Sequence, residues 1–204
     1  VYTSNEAGDQ FAFTGVTIDL AAGRMKGSDG ANDTILNFED VIGSTMHDSI
    51  MGSGGNNILY GAEGNDTING GGGNDILFGG QGNDSLMGGA GNDIYEIGGA
   101  DGEVAIMDSS GWDMVSLSGT FGETIAAADV ASAATGIEAI GLGFGGNRLH
   151  LTAAAVVSVS DTNILEVTGG GDDRLRPDPQ GAAPARLSHA GGAGGLYCRV
   201  FRRR

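Results

Sequence analysis

GGGGNDILFGGQGNDSLMGGAGNDIYE, residues 70–96, is one nine-residue pattern written three times over. Read outward toward the N-terminus, the same register continues without a gap through GAEGNDTIN (61–69), GSGGNNILY (52–60) and GSTMHDSIM (43–51). A fixed short period is the mark of a repeat architecture. The sixth position of the rows reads Asp48, Asn57, Asp66, Asp75, Asp84 and Asp93, and the eighth Ile50, Leu59, Ile68, Leu77, Leu86 and Tyr95. A flexible glycine-rich linker would have no reason to place an apolar side chain at every ninth residue.

The pattern predicts an all-β chain built around a parallel β-roll. Positions seven to nine are expected to form a three-residue strand with only the eighth side chain facing inward, because successive side chains point to opposite faces. The glycine-rich hexapeptide between strands supplies the turn. If two rows complete a coil, each row lies over the row after next. Asp48 then meets Asp66, Asp66 meets Asp84, Asp75 meets Asp93, and Asn57 meets Asp75. Bare carboxylates stacked in this way repel, and a divalent cation between them removes the repulsion. Ca²⁺ prefers six to eight oxygen ligands in an adaptable geometry, whereas Mg²⁺ demands a tight octahedron. Zinc is disfavoured because no Cys or His recurs.

Magnitudes make the ion part of the fold. Each row buries one Leu-sized side chain, contributing about 1.5–3 kcal/mol. Ordering nine residues costs about 1–2 kcal/mol each. Ion binding then supplies folding free energy. Residues 43–96 are expected to be disordered without calcium and a β-solenoid with it.

Composition supports this reading. Among 204 residues there are 40 glycines and 6% aromatics, poor material for a conventional packed core. Acidic residues outnumber basic ones 26 to 10, and before Arg174 the only basic residues are Arg24, Lys26 and Arg148. Polyanionic nucleic acid is excluded as a partner by that charge. The single cysteine, Cys198, cannot form an internal disulfide, which leaves metal as the staple. No stretch approaches the roughly 20 apolar residues of a membrane span. A chain opening at Val1 with no cationic and apolar leader is read as a fragment whose start lies upstream. Neither HExxH nor GxSxG occurs. Gly141, Gly143 and Gly146 fit a dinucleotide glycine pattern only in letters, since no βαβ unit surrounds them. No catalytic residue is expected.

Residues 61–96 resemble the hemolysin-type calcium-binding repeat, GGxGxDxUx, of the repeats-in-toxin (RTX) proteins. Asp66, Ile68, Gly73, Asp75, Leu77, Gly79, Gly80 and Asp84 carry the likeness, which recurs one row later as far as Asp93. The resemblance implies Ca²⁺ held by the sixth-position Asp and turn carbonyls. It also implies a bacterial protein exported by type I secretion machinery that folds in a calcium-rich extracellular medium. The first two rows depart from the pattern. Ser44 and Thr45 stand in the turn, His47 precedes Asp48, and Asn57 replaces a carboxylate, so sites at Asp48 and Asn57 are expected to be weaker or empty. His47 is given no role.

Around the roll (43–96), residues 1–42 read as a β-rich lead-in and cap. VTIDLAAG (16–23) is an alternating strand ending in a turn, and Asp29, Asp33 and Asp40 are a solvated acidic cap rather than a site. Residues 97–173 hold the alternating strands MVSLSG (114–119), NRLHLT (147–152) and NILEVTG (163–169) around ATGIEAIGLG (134–143). Tyr95 and Trp112 read as core or capping aromatics. Residues 174–204, with all 3 prolines and a terminal RRR, are expected to be a basic disordered tail. Two other functions stay open: the appendage of a secreted protease, lipase or epimerase with its catalytic domain upstream, or an adhesin whose roll is the working surface.

Overall fold

The computed structural model describes residues 15–27, 30–98, 101, 104–118, 124–126, 134–142, 148–151, 164–170, 174–177 and 195–201. Every regular element among them is a β-strand. No helix among them is long and apolar enough to cross a membrane. The chain divides into two compact units, Val1–Gly111 and Trp112–Arg204.

The first unit contains β1 (Thr17–Asp19), β2 (Arg24–Lys26), β3 (Asn32–Thr34), β4 (Asp40–Ile42), β5 (Ser49–Met51), β6 (Ile58–Glu63), β7 (Thr67–Gly72), β8 (Ile76–Gln81), β9 (Asp84–Ala90), β10 (Ile94–Gly98) and β11 (Val104–Met107). Successive rows alternate between two sheets, ordered β3-β2-β1-β5-β7-β9-β11 and β4-β6-β8-β10. Ile50 pairs in parallel with Ile68 and Ile68 with Leu86, while Leu59 pairs with Leu77 and Leu77 with Tyr95. Each row lies over the row after next, and the result is the β-roll that the period predicts.

Position eight fills the space between the sheets. Ile18, Ile50, Ile68, Leu86 and Ile106 from one sheet meet Val41, Leu59, Leu77 and Tyr95 from the other, all buried. Two details differ from the sequence reading. The strands β6 to β9 run past position nine into the glycines, where Ala62 pairs with Gly80, Glu63 with Gln81, and Gly71 with Gly89. Missing side chains let the stacked backbones pair through what would otherwise be a turn. Position eight is also not the only inward position, because the two-residue alternation buries Asp66, Ile68 and Gly70 together. The chain bends at position four, where Gly64, Gly73, Gly82 and Gly91 have φ of 129, 102, 134 and 132°. That region is readily open only to glycine.

The coil extends beyond the six rows. Val41 pairs with Leu59, and Asn37, at the equivalent of position four, has φ 61°. Residues 34–42 are therefore a further row in which Asn, the non-glycine residue most tolerant of this conformation, replaces the turn glycine. Before it, β1 pairs in parallel with β5 and is followed by β2 and β3, both antiparallel. Asp33 and Asp40 are exposed on strands of different sheets, consistent with a solvated cap, and Asp29 lies outside the described residues.

The second unit contains β12 (Met114–Ser118), β13 (Thr124–Ala126), β14 (Ala134–Thr135), β15 (Ala139–Gly141), β16 (Arg148–Leu151), β17 (Ile164–Gly170), β18 (Arg174–Pro177) and β19 (Gly195–Phe201). The strands β12, β15 and β17 are parallel, with β19 antiparallel to β17, and β13, β16 and β18 form a separate parallel sheet. Val115, Leu117, Ile137, Ile140, Leu142 and Val167 are buried. The strands expected near 114–119, 147–152 and 163–169 are β12, β16 and β17. Gly141 ends β15, while Gly143 and Gly146 lie outside the described residues. The tail expected to be disordered needs correction, since it supplies β18 and β19. Its segment LYCRVF alternates apolar Leu196, Cys198 and Val200 with other residues, a β-compatible pattern that its arginines and prolines obscured, and it pairs along the whole of β17.

Candidate metal centre

The sixth-position residues face inward, five of them one residue before their strands and Asp84 as the first residue of β9, and none is more than 4% exposed. Their backbones link them into two ladders. In one, the Asp48 N–H donates to Asp66 Oδ1 at 2.8 Å and the Asp66 N–H to Asp84 Oδ1 at 2.9 Å. In the other, the Asn57 N–H donates to Asp75 Oδ1 and the Asp75 N–H to Asp93 Oδ1, both at 2.7 Å. All the pairs expected from the coil length are brought together, joined by backbone-to-carboxylate hydrogen bonds.

This leaves the second carboxylate oxygen. Oδ2 of Asp66, Asp75 and Asp84 is buried and accepts no hydrogen bond. Burying a carboxylate oxygen uncompensated is expensive. The oxygens lie beside the glycine that opens each row. A Cβ on Gly61 would stand 2.3 Å from Asp66 Oδ2 and 2.5 Å from the Gly79 carbonyl oxygen. On Gly70 it would stand 2.3 Å from Asp75 Oδ2 and 2.7 Å from the Gly88 carbonyl oxygen. A carboxylate oxygen of one coil and a carbonyl oxygen of the next thus converge over a bare Cα. Only hard oxygen donors line the place, the set that suits Ca²⁺.

Electrostatics agree. Burial, with help from the charges of Asp48 and Asp84, pushes Asp66 up to about 6 against the opposing Asp48 N–H bond. Burial, then Asp108 and Asp75, pushes Asp93 up to about 6. Asp75 and Asp84 are raised chiefly by burial. Carboxylates held this way take up a proton or a cation, and a bound Ca²⁺ would supply the positive charge that their ionised form lacks.

Asp48 and Asn57 join the ladders with their side chains already engaged by the protein. Asp48 Oδ1 accepts from the Val16 N–H at 2.7 Å and the Ser44 hydroxyl at 2.8 Å, and its Oδ2 accepts from the Ser44 N–H at 2.5 Å. Asn57 Oδ1 accepts from the Ser53 N–H at 2.8 Å and hydroxyl at 3.1 Å, and its Nδ2 donates to the Glu39 carbonyl at 2.8 Å. In both rows the serine at position two supplies an N–H and a hydroxyl to the sixth-position side chain.

Sequence reasoning passed over other polar residues. Position five forms two ladders of its own: in one the Asn92 N–H donates to Asn74 Oδ1 and the Asn74 N–H to Asn56 Oδ1, and in the other the Asn83 N–H donates to Asn65 Oδ1. His47, given no role from sequence, ends the second ladder by accepting from the Asn65 N–H at 2.6 Å. The recurrence of Asn at position five was the available signal. Tyr95 is a core residue with a polar end: its buried hydroxyl donates to Asp108 and accepts from the Gly88 N–H at 2.7 Å. Burial and then Asp108 raise its pKa. A Cβ on Gly88 would meet that hydroxyl at 2.6 Å, where one on Gly61 or Gly70 would meet a carbonyl oxygen. In the second unit, the buried Asp113 N–H donates to Glu138 Oε2 at 3.1 Å, outside any nine-residue register.

No curated protein matches this chain. A family model does match, at residues 42–77 and 60–95, with 4 copies of the RTX calcium-binding nonapeptide repeat. The matched residues hold both carboxylate ladders and the position-eight core from Ile50 to Tyr95. The chain therefore carries, in its first compact unit, an array of RTX calcium-binding nonapeptide repeats folded as a β-roll.

Proposed function

We propose that the roll is a calcium-triggered folding module of an exported bacterial protein, with Asp66, Asp75, Asp84 and Asp93 and neighbouring glycine carbonyls as the ligands. One observation carries this reading: Asp66, Asp75 and Asp84 in three successive rows each bury an oxygen with no hydrogen-bond donor, and at Asp66 and Asp75 that oxygen converges with a carbonyl oxygen of the next coil. Such an arrangement is self-repelling without a cation and favourable with one, so binding and folding are a single step. Extracellular modules bind calcium in the range of about 0.1–1 mM. A chain with that affinity stays open inside the cell, which suits passage through type I secretion machinery, and closes outside. The typical occurrence of RTX repeats in secreted bacterial proteins supports this placement. We read the chain as a binding and folding module rather than an enzyme. Circular dichroism of the whole chain during a calcium titration, with magnesium as control, tests the reading. A cooperative gain of β signal with calcium alone is expected; a spectrum indifferent to calcium refutes it.

A further inference from the structure

The six rows are of two kinds, and position two separates them. In rows three to six that position is Ala62, Gly71, Gly80 and Gly89, with φ of 91, 97, 92 and 108°. In rows one and two it is Ser44 and Ser53, neither of which has positive φ. This change turns the serine toward its own sixth-position residue, four residues on. Both the N–H and the hydroxyl of Ser44 donate to Asp48, and both those of Ser53 donate to Asn57. Each hydroxyl then accepts from the turn, from the Met46 N–H in row one and the Gly55 N–H in row two, both at 3.1 Å. Donors from the protein stand where rows three to five leave an oxygen bare. Asn57 goes further, since it has no carboxylate charge to neutralise.

The flanking elements complete a local assembly. Row one pairs with β1, row two with β4, and the antiparallel strands β2 and β3 continue the edge of the first sheet. The Ala22 N–H donates to Asp19 Oδ1 at 2.7 Å to close the turn after β1. Val16, Ile18, Met25, Val41, Ile50 and Leu59 give this end its own buried apolar set.

We infer that the N-terminal coil, residues 43–60 with the strands packed on it, is a calcium-independent starter. It keeps its order without the ion and offers a preformed edge on which the calcium-dependent rows 61–96 are laid. The inference rests on the calcium reading of rows three to six and adds a direction to it: order spreads from the serine-capped end.

Hydrogen exchange of the full chain, resolved by peptide, tests it in chelator and in saturating calcium. In chelator, amides of 43–60 should exchange at least about tenfold more slowly than open chain, while those of 61–96 exchange as open chain until calcium is added. Exchange of 43–60 at the open-chain rate in chelator, with protection appearing together with that of 61–96, overturns the starter and leaves the calcium reading intact. Protection of 61–96 in chelator overturns the calcium reading and the starter with it. The double variant Ser44→Ala, Ser53→Ala should lose protection over 43–60 in chelator by about fivefold per hydroxyl, the effect of one net hydrogen bond each. Rows 61–96 should remain protected in calcium, which shows that the variant folds. Unchanged protection of 43–60 in the variant overturns the role of the serines.

Discussion

Gly70→Ala adds one methyl group to the place where a carboxylate oxygen and a carbonyl oxygen converge. The new carbon would stand 2.3 Å from Asp75 Oδ2, 2.7 Å from the Gly88 carbonyl oxygen and 2.9 Å from Asp75 Cγ. Two of the three atoms belong to a buried side chain and one to the backbone of the next coil, so neither can swing away freely. Gly70 does not have positive φ, so the effect is one of space and not of backbone preference. Overpacking of this kind costs about 1–3 kcal/mol. For a domain of this size a loss of 1 kcal/mol lowers the melting temperature by roughly 4–8 °C. Gly54→Ala is the matched control. Its added carbon meets nothing within 4 Å and its φ is also not positive, so it should be neutral or stabilise by up to about 1 kcal/mol through the open chain. Thermal melting in saturating calcium, followed by circular dichroism, reads both variants, and the calcium midpoint at fixed temperature reads the site. Gly70→Ala should melt well below the parent and need more calcium, while Gly54→Ala melts at or above it. Coincident melting and calcium midpoints for the two variants would show that the space over Gly70 is not a ligand position.

The carboxylates give the calcium-free roll a pH dependence of unusual sign. In that fold Asp66 is raised from 3.8 to about 6, so its ionisation opposes folding; the cost is absent well below 3.8, grows between the two values, and is complete above about 6. Calcium-free β signal should therefore be larger near pH 4 than near pH 7.5, and the calcium midpoint should rise as protons compete below about pH 6; a calcium-free signal that grows with pH contradicts the assignment. Tyr95→Phe keeps the ring in the core but strips the Gly88 N–H of its acceptor and Asp108 of its donor. Melting of the calcium-loaded variant should fall by the equivalent of about 1–3 kcal/mol, and an unchanged melting temperature would mean that the hydroxyl does not hold this end of the roll.

Asp48 and Asp66 show where sequence reading stops. They occupy the same position of the same repeat, yet one carboxylate is satisfied by Val16 and Ser44 while the other buries a bare oxygen. Residues 34–42 make the opposite point. They are a row of the roll without glycine at position one or four, so only Val41, nine residues before Ile50, hints at them. Likewise Cys198 and its neighbours form a strand whose partner, β17, no local pattern names.

The period, the two-row coil, the apolar spine from Ile50 to Tyr95 and the carboxylate columns were determined by the sequence alone. They depend on spacing, and spacing survives in a string of letters because strand alternation and the nine-residue repeat are local. Which carboxylate oxygens are left without a donor, which glycines stand beside them, and where a serine supplies the donors were decided by the tertiary structure. Those outcomes depend on what the coil 18 residues away places opposite each atom.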